Sequence, residues 1–149
     1  AEVDLAAPPI PFGQARIARD GAHATVVALS AMVDEALAAA DALAARGVSV
    51  EVVDPRTVAP LDVETIVRSV QKTKRLVVAH DAHKTAGPGA EIAAVVTERT
   101  FDHLVAPVER VAALDVPIPS GPLVSEVYPD RHSIVRAVER VLVRGGARR

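Results

Sequence analysis

The residues best suited to chemistry lie close together, in the stretch HDAHKTAGPGAE that runs from His80 to Glu91. The imidazoles of His80 and His83 and the carboxylate of Asp81 are ligand types that bind zinc and similar ions. Adjacent residues at the end of a strand point to opposite sides, however, and no further ligand is evident nearby in the sequence. A metal site and a loop held by internal hydrogen bonds are both open interpretations of this stretch.

The two glycines of this stretch, Gly87 and Gly89, offer a second kind of site. Backbone N–H groups at the start of a helix attract phosphate and carboxylate groups. GPGAEI does not follow the G-x-G-x-x-G pattern, however, and Pro88 removes one donor. A tight turn from a strand into a helix explains the glycine pair more simply than an anion site does.

Acid–base and nucleophilic chemistry have weaker support. His80 could act with Asp81, Asp54 or Asp62, although carboxylates that precede helices commonly serve as caps. Ser30 and Ser120 do not lie in a G-x-S-x-G elbow, so a helix cap and a turn residue are the interpretations we favour for them.

Composition narrows the class of protein. The 149 residues suit one domain, and its core must be aliphatic because only 2% of the residues are aromatic. A net charge of -2 without a basic face argues against nucleic-acid binding. There is no cysteine, and we recognise neither a signal peptide nor an apolar run long enough to span a bilayer. We therefore expect a soluble, cytoplasmic chain without a membrane partner.

Strand and helix patterns alternate along the chain. We expect a linker or extended arm over residues 1–12, a domain over 13–144 and a tail over 145–149. Ser30 and Asp62 are candidate helix caps, and Gly47 suits a left-handed helix end. The predicted strands cover 13–19, 24–30, 48–54, 75–80 and 107–114, and the predicted helices cover 32–46, 62–70, 89–99 and 134–142.

This alternation predicts an α/β sandwich with a mostly parallel sheet and helices on both faces. Sites in such folds lie beyond the carboxyl ends of the strands. The stretch that begins at His80 follows a predicted strand, so it occupies such a position.

Several segments together resemble one family, the C-terminal domain of the beta subunit of thiamine-diphosphate-dependent 2-oxoacid dehydrogenases, which has a transketolase C-terminal-like fold. The similar segments are IPFGQA (10–15), EVVDPRTVAPLD (51–62), SVQKTKRLVV (69–78), HDAHKTAGPGAEI (80–92), APVERV (106–111) and DVPIP (115–119). The family-motif positions are Asp54, Arg56, Thr57, Pro60 and Asp62. The residues that the resemblance places in an interface or active-site-entrance loop are His80, Asp81, His83, Thr85, Gly87, Gly89 and Glu91.

The chain departs from the family pattern mainly in the 80–91 loop. Asp81 stands where the family has Glu, His83 where it has Pro, and Pro88 where it has Phe or a similar residue. Pro55 and Ala86 replace a usual Leu and Gly. The histidine at position 80 resembles the branched-chain-type members slightly more than the others.

The resemblance implies a five-stranded mixed sheet whose first strand runs antiparallel to the others. It implies a domain for assembly and partner docking that is not catalytic alone, in an enzyme that decarboxylates a 2-oxoacid oxidatively and transfers the acyl group to lipoyl. The expected partners are an alpha subunit, a second beta subunit in a heterotetramer, and the binding domain of the acyltransferase component. Thiamine diphosphate and Mg would be held elsewhere in that assembly and by no residue of this chain, whose 80–91 loop would lie at an interface or near the active-site entrance.

Two other functions remain open at this point. One is an independent small α/β protein that binds an anion or nucleotide at the 80–91 loop. The other is a metal-dependent hydrolase that uses His80 and His83.

Overall fold

A five-stranded mixed sheet with helices on both faces forms the domain. The structure is a computed structural model, and it describes residues 9–146. The strand order is β1-β3-β2-β4-β5, with β1 antiparallel to β3 and the other neighbours parallel. The three-layer α/β/α fold and the antiparallel first strand are thus confirmed.

The strands and helices alternate as the sequence predicts. The strands are β1 (Arg16–Arg19), β2 (Ala24–Ala28), β3 (Val50–Asp54), β4 (Leu76–His83) and β5 (Glu109–Ala113). The helices are α1 (Met32–Ala44), α2 (Val63–Thr73), α3 (Pro88–Thr100), α4 (Val124–Val127) and α5 (Arg131–Gly146), and a 3₁₀ turn (Gly121–Leu123) precedes α4. Among the described residues, no helix combines the length and apolar character that crossing a lipid bilayer requires.

Two aliphatic cores lie on the two faces of the sheet. Alternate residues of each central strand serve each core, because successive side chains of a strand point to opposite faces. On β4, Val77 and Ala79 pack with α1 and α5, whereas Leu76 and Val78 pack with α2 and α3. Both faces of the central strands are therefore buried, which explains why the sequence of these strands is continuously apolar.

Two predicted helix ends are confirmed. The carboxylate of Asp62 accepts the Thr65 N–H at 3.1 Å and so caps α2. Gly47, just past α1, has a φ of 77°. Side chains with β-carbons rarely adopt that left-handed conformation, and glycine adopts it freely.

Three details correct the predictions. Ser30 is not the cap of α1: the N-cap is Ala31, and Ser30 itself adopts a φ of 55°. Strand β4 continues to His83 because Ala113 of β5 pairs with His83 after an irregularity in the register. Asp81 and His83 therefore lie on the strand with His80 and not in the loop that follows it, and the segment expected to be only loop before Pro129 contains α4.

Candidate functional site at the carboxyl end of the sheet

His80 lies at the centre of the candidate site, beneath the first turn of α3. It is 1% exposed. A β-carbon built on Gly89 would lie 2.4 Å from Cδ2 and 2.5 Å from Nε2 of its ring. A β-carbon built on Gly87 would lie 2.7 Å from its Cε1. The imidazole thus occupies the space that a side chain at either glycine would need, which gives the glycine pair a packing role.

The two ring nitrogens of His80 are buried. Within the described residues, neither ring nitrogen has a hydrogen-bond partner. Burial lowers the pKa of His80; the nearby backbone of Ala82 opposes this effect without forming a hydrogen bond of ordinary geometry. The imidazole is therefore neutral near pH 7 and is shielded from molecules in solution.

The loop after β4 is fastened to the segment after β5. Asp115 accepts two hydrogen bonds from Thr85, one from its N–H at 2.9 Å and one from its hydroxyl at 2.7 Å. These bonds hold the pKa of Asp115 below its ordinary value. The Nε2 of His83 lies 3.0 Å from the carbonyl oxygen of Val116, which requires the tautomer with a proton on Nε2. The loop is thus closely tied to the fold.

The other polar residues between Asp81 and Glu91 do not converge on His80. His83 is exposed whereas His80 is buried. Asp81 is half-buried and Glu91 is exposed. No group of three His, Asp or Glu residues within 9–146 is arranged to hold a metal ion. The structure does not bring the predicted ligands together.

The motif positions after β3 form a second polar cluster, which shapes a loop. The Oδ1 of Asp54 accepts the Arg56 N–H at 3.1 Å, and Arg56 has a φ of 62°. The hydroxyl of Thr57 donates to the carbonyl of Pro60 at 2.6 Å and accepts the Gly13 N–H at 3.2 Å. The Ala59-Pro60 peptide bond is cis. These residues fix the path of the chain between β3 and α2.

Asp62 joins this loop to the segment before β1. Its Oδ2 accepts the Ala15 N–H at 2.9 Å and the Thr65 hydroxyl at 2.7 Å. Burial opposes ionisation of this carboxyl group, but the hydrogen bonds from Ala15 and Thr65 prevail and hold the pKa of Asp62 below its ordinary value. The ionised carboxylate therefore stabilises the fold.

We expect Asp62→Ala to lower the free energy of unfolding by about 2 kcal/mol at pH 7, because the substitution removes a helix cap and a long-range contact together. The folded-state pKa lies below the unfolded one, so this contribution is present above the ordinary carboxyl pKa and is lost as the pH falls through the folded value. Urea unfolding of both proteins between pH 7 and pH 3 measures the difference, which should shrink below a pH of about 4. Asp130→Ala, which removes only the local cap of α5, should lower the free energy of unfolding by less than Asp62→Ala does. An equal loss in both variants would contradict a special role for the Ala15 contact.

Sequence reasoning missed the bonds between Thr85 and Asp115. The two residues are 30 positions apart, and no local pattern pairs them. It also missed Lys84, Arg110 and Arg136, which line a cavity beside β5. Arg110 and Asp115 lie in segments that resemble the family, but no other feature of the sequence drew attention to them.

Comparison with known proteins agrees with this fold. The family described as "Transketolase, C-terminal domain" matches residues 13–134. A pyruvate dehydrogenase E1 component subunit beta from Leifsonia xyli is 48% identical over 95% of this chain and 42% of its own length. The corresponding protein from Rickettsia felis is 43% identical over 89% of the chain and 41% of its own length.

Solved structures give the same result. An inactive beta4 tetramer of a split-gene transketolase superimposes with a TM-score of 0.76 at 29% identity, covering 95% of this chain and 46% of that one. A 2-oxoglutarate:ferredoxin oxidoreductase from Magnetococcus marinus has a TM-score of 0.56 at 11% identity over 87% of this chain and 19% of its own, which supports the fold alone.

This chain spans less than half the length of the curated relatives it matches. The match to the family covers most of the chain, and it includes the loop after β3, the stretch from His80 to Glu91 and the segment at Asp115. The resemblance drawn from the sequence is therefore confirmed, and the chain belongs to the transketolase C-terminal domain family.

Proposed function

We propose that this chain is the C-terminal assembly and partner-docking domain of the beta subunit of a 2-oxoacid dehydrogenase decarboxylase component. The observation that carries the proposal is the identity of 43 to 48% with pyruvate dehydrogenase E1 beta subunits over about nine-tenths of the chain. The enzyme as a whole would decarboxylate a 2-oxoacid oxidatively and transfer the acyl group to lipoyl.

The polar residues of this domain support a structural role in that enzyme. Asp54, Thr57 and Asp62 bind neighbouring backbone groups, and Thr85 binds Asp115. His80 is enclosed by α3. Such groups are engaged in holding the fold, so we expect the isolated domain to be inactive.

Thiamine diphosphate and Mg belong to the proposed assembly, in which the cofactor supplies the carbanion chemistry. A magnesium-bound diphosphate needs converging oxygen ligands. The described residues do not offer a group of three acidic or imidazole ligands, so we assign no cofactor contact to them. The partners we propose are an alpha subunit, a second beta subunit and the binding domain of the acyltransferase component.

An exposed apolar segment is a candidate docking surface. Residues 114–123 follow β5 and include Leu123, which is 62% exposed, and Ile118, which is 53% exposed. Leu114 and Val116 are exposed as well. Clustered exposed apolar side chains commonly mark protein–protein interfaces.

We propose pyruvate as the 2-oxoacid, because the relatives named above are pyruvate dehydrogenase subunits. This proposal differs from the resemblance at His80, which slightly favours the branched-chain-type members of the family. A cytoplasmic location remains part of the proposal, although relatives from Dictyostelium discoideum and Arabidopsis thaliana are named as mitochondrial. The comparisons give no support to an independent protein that binds an anion or nucleotide at the 80–91 loop.

The test is to express the complete gene product that contains this sequence together with the alpha subunit from the same genome. We expect the two to co-elute and, with thiamine diphosphate and Mg, to reduce an artificial electron acceptor with pyruvate faster than with branched-chain 2-oxoacids. A gene product that stays alone and shows no 2-oxoacid-dependent activity would refute the proposed function.

The same system tests the docking surface. Ile118→Asp with Leu123→Asp should weaken co-elution of the partner subunits while the unfolding free energy changes by only about 0.5 kcal/mol. The matched control is Val143→Asp, which places a charge at an exposed apolar position of α5. Normal co-elution of the double variant would reject this segment as an interface and leave the enzymatic assignment standing.

A further inference from the structure

A cavity of about 360 Å³ lies beside β5, at the edge of the sheet. Its walls come from β5, from Lys84 just after β4, from the segment around α4 and from α5. We call it the β5 groove. Strand β5 pairs with β4 on one side only, so its other side forms a wall of the groove.

The β5 groove is positively charged although the chain as a whole is negative. Four basic side chains and two carboxylates line it, which gives a formal charge of +2 against -2 for the whole chain. The basic residues are Lys84, Arg110, Arg136 and Arg140, and the acidic ones are Asp115 and Glu126.

Two of these arginines are held in place and still have donors to offer. Arg110 donates from Nη1 to the carbonyl of Lys84 at 2.9 Å. Arg136 donates from Nη2 to the hydroxyl of Ser133 at 3.0 Å, and that hydroxyl bonds to Asp130 at 2.8 Å. A guanidinium has five N–H donors, so most donors of both arginines have no partner among the described residues.

The other charged side chains of the groove differ in whether they already have a bonding partner. Arg140 binds Glu109 at 3.1 Å, and Arg144 lies 3.5 Å from the same carboxylate, so Arg140 already has an acidic partner. Asp115 is bound by Thr85. Lys84 is exposed, and its ammonium group forms no hydrogen bond or ion pair among the described residues, so Lys84, Arg110 and Arg136 are the cations of the groove that have no carboxylate partner there.

We propose that the β5 groove binds a small anionic ligand that carries two or more carboxylate or phosphate groups. Planar guanidinium groups bind both kinds of anion through paired hydrogen bonds. The volume falls within the range of small-molecule sites, and the hydroxyls of Tyr128 and Ser133 add polar groups to its wall. This inference does not depend on the proposed function.

Isothermal titration calorimetry of the 149-residue chain at low salt tests the site, with inorganic pyrophosphate and citrate as the probe ligands. We expect at least one probe to bind saturably, and the affinity to fall as salt is added. Tighter binding of pyrophosphate would assign a phosphate ligand, and tighter binding of citrate would assign a polycarboxylate.

Arg110→Gln with Arg136→Gln should weaken that binding at least about tenfold, because two charge-assisted contacts are lost. The matched control is Arg68→Gln with Arg99→Gln, which removes the same charge from α2 and α3 on the opposite face of the sheet. Lys84→Gln changes an exposed side chain and should weaken binding without affecting folding, so it decides the question if the double variant unfolds. Absence of binding by both probes, equal weakening in the control, or unchanged binding in Lys84→Gln would overturn the proposal.

Discussion

Replacement of Gly89 by alanine is expected to lower the free energy of unfolding by about 3 kcal/mol. Gly89 lies in the first turn of α3, where alanine would normally favour the helix by about 1 kcal/mol. Here the new β-carbon would lie 2.4 Å from the ring of His80, well inside van der Waals contact. The imidazole is enclosed and cannot easily move aside, so overpacking outweighs helix propensity. Urea unfolding followed by circular dichroism measures the change.

A second substitution distinguishes this clash from a general intolerance of α3. His80→Ala removes the ring, so Gly89→Ala should cost much less in that background than in the wild type. Gly87→Ala should not be rescued in the same way, because its β-carbon would lie 2.1 Å from the backbone carbonyl oxygen of His83. Equal costs of Gly89→Ala in both backgrounds would show that the ring is not the obstacle.

Gly47→Ala provides the control for backbone strain. Gly47 has a φ of 77°, and no atom lies within 4 Å of a β-carbon built there. Its substitution should lower the free energy of unfolding by only about 1 to 2 kcal/mol, because alanine must adopt the left-handed conformation but its β-carbon meets no other atom. The excess cost at Gly89 then measures the packing of His80.

Local patterns explain the parts of the fold that the sequence predicts well. The aliphatic runs of β2, β3 and β4 lie between two layers of helices, and the cap at Asp62 and the helix end at Gly47 depend only on nearby backbone groups. Each of these features is decided within a few residues. The five-stranded mixed sheet with an antiparallel first strand followed from the family resemblance, which carries information that periodicity lacks.

Long-range partners explain the parts that were missed. Strand β4 extends to His83 because β5 supplies a partner there, and β5 is separated from it by the whole of α3. Ser30 looks like a cap by residue type, but its backbone is left-handed and the N-cap of α1 is the next residue, Ala31. The packing role of Gly87 and Gly89 depends on His80 facing α3, which the sequence alone does not reveal.

The second large effect is expected at Lys72, the cation that neutralises a buried carboxylate. Glu51 is the second residue of β3 and is 1% exposed. Its Oε2 accepts the Lys72 ammonium and the Gly21 N–H, the latter at 3.2 Å. Lys72 also binds Asp20 at 3.1 Å. The hydrogen bond to Glu51 raises the pKa of Lys72, so the ammonium remains charged at every pH at which the protein is ordinarily studied.

Lys72→Met should therefore lower the free energy of unfolding by about 3 kcal/mol at pH 7. The substitution leaves the carboxylate of Glu51 buried with only the Gly21 N–H to stabilise its charge, and breaking a buried ion pair from one side costs several kcal/mol. We place the effect at the lower end of that range because the Lys72 side chain is 47% exposed and water can reach the site. Arg68→Met, which removes an exposed cation from the same helix, should change stability by only about 0.5 kcal/mol.

A second substitution identifies the cause of this loss. Glu51→Gln in the Lys72→Met background removes the charge while an amide oxygen remains to accept the Gly21 N–H. That double variant should recover most of the lost stability. If the double variant is as unstable as Lys72→Met alone, the loss comes from the packing of the Lys72 methylene groups and not from the buried charge of Glu51.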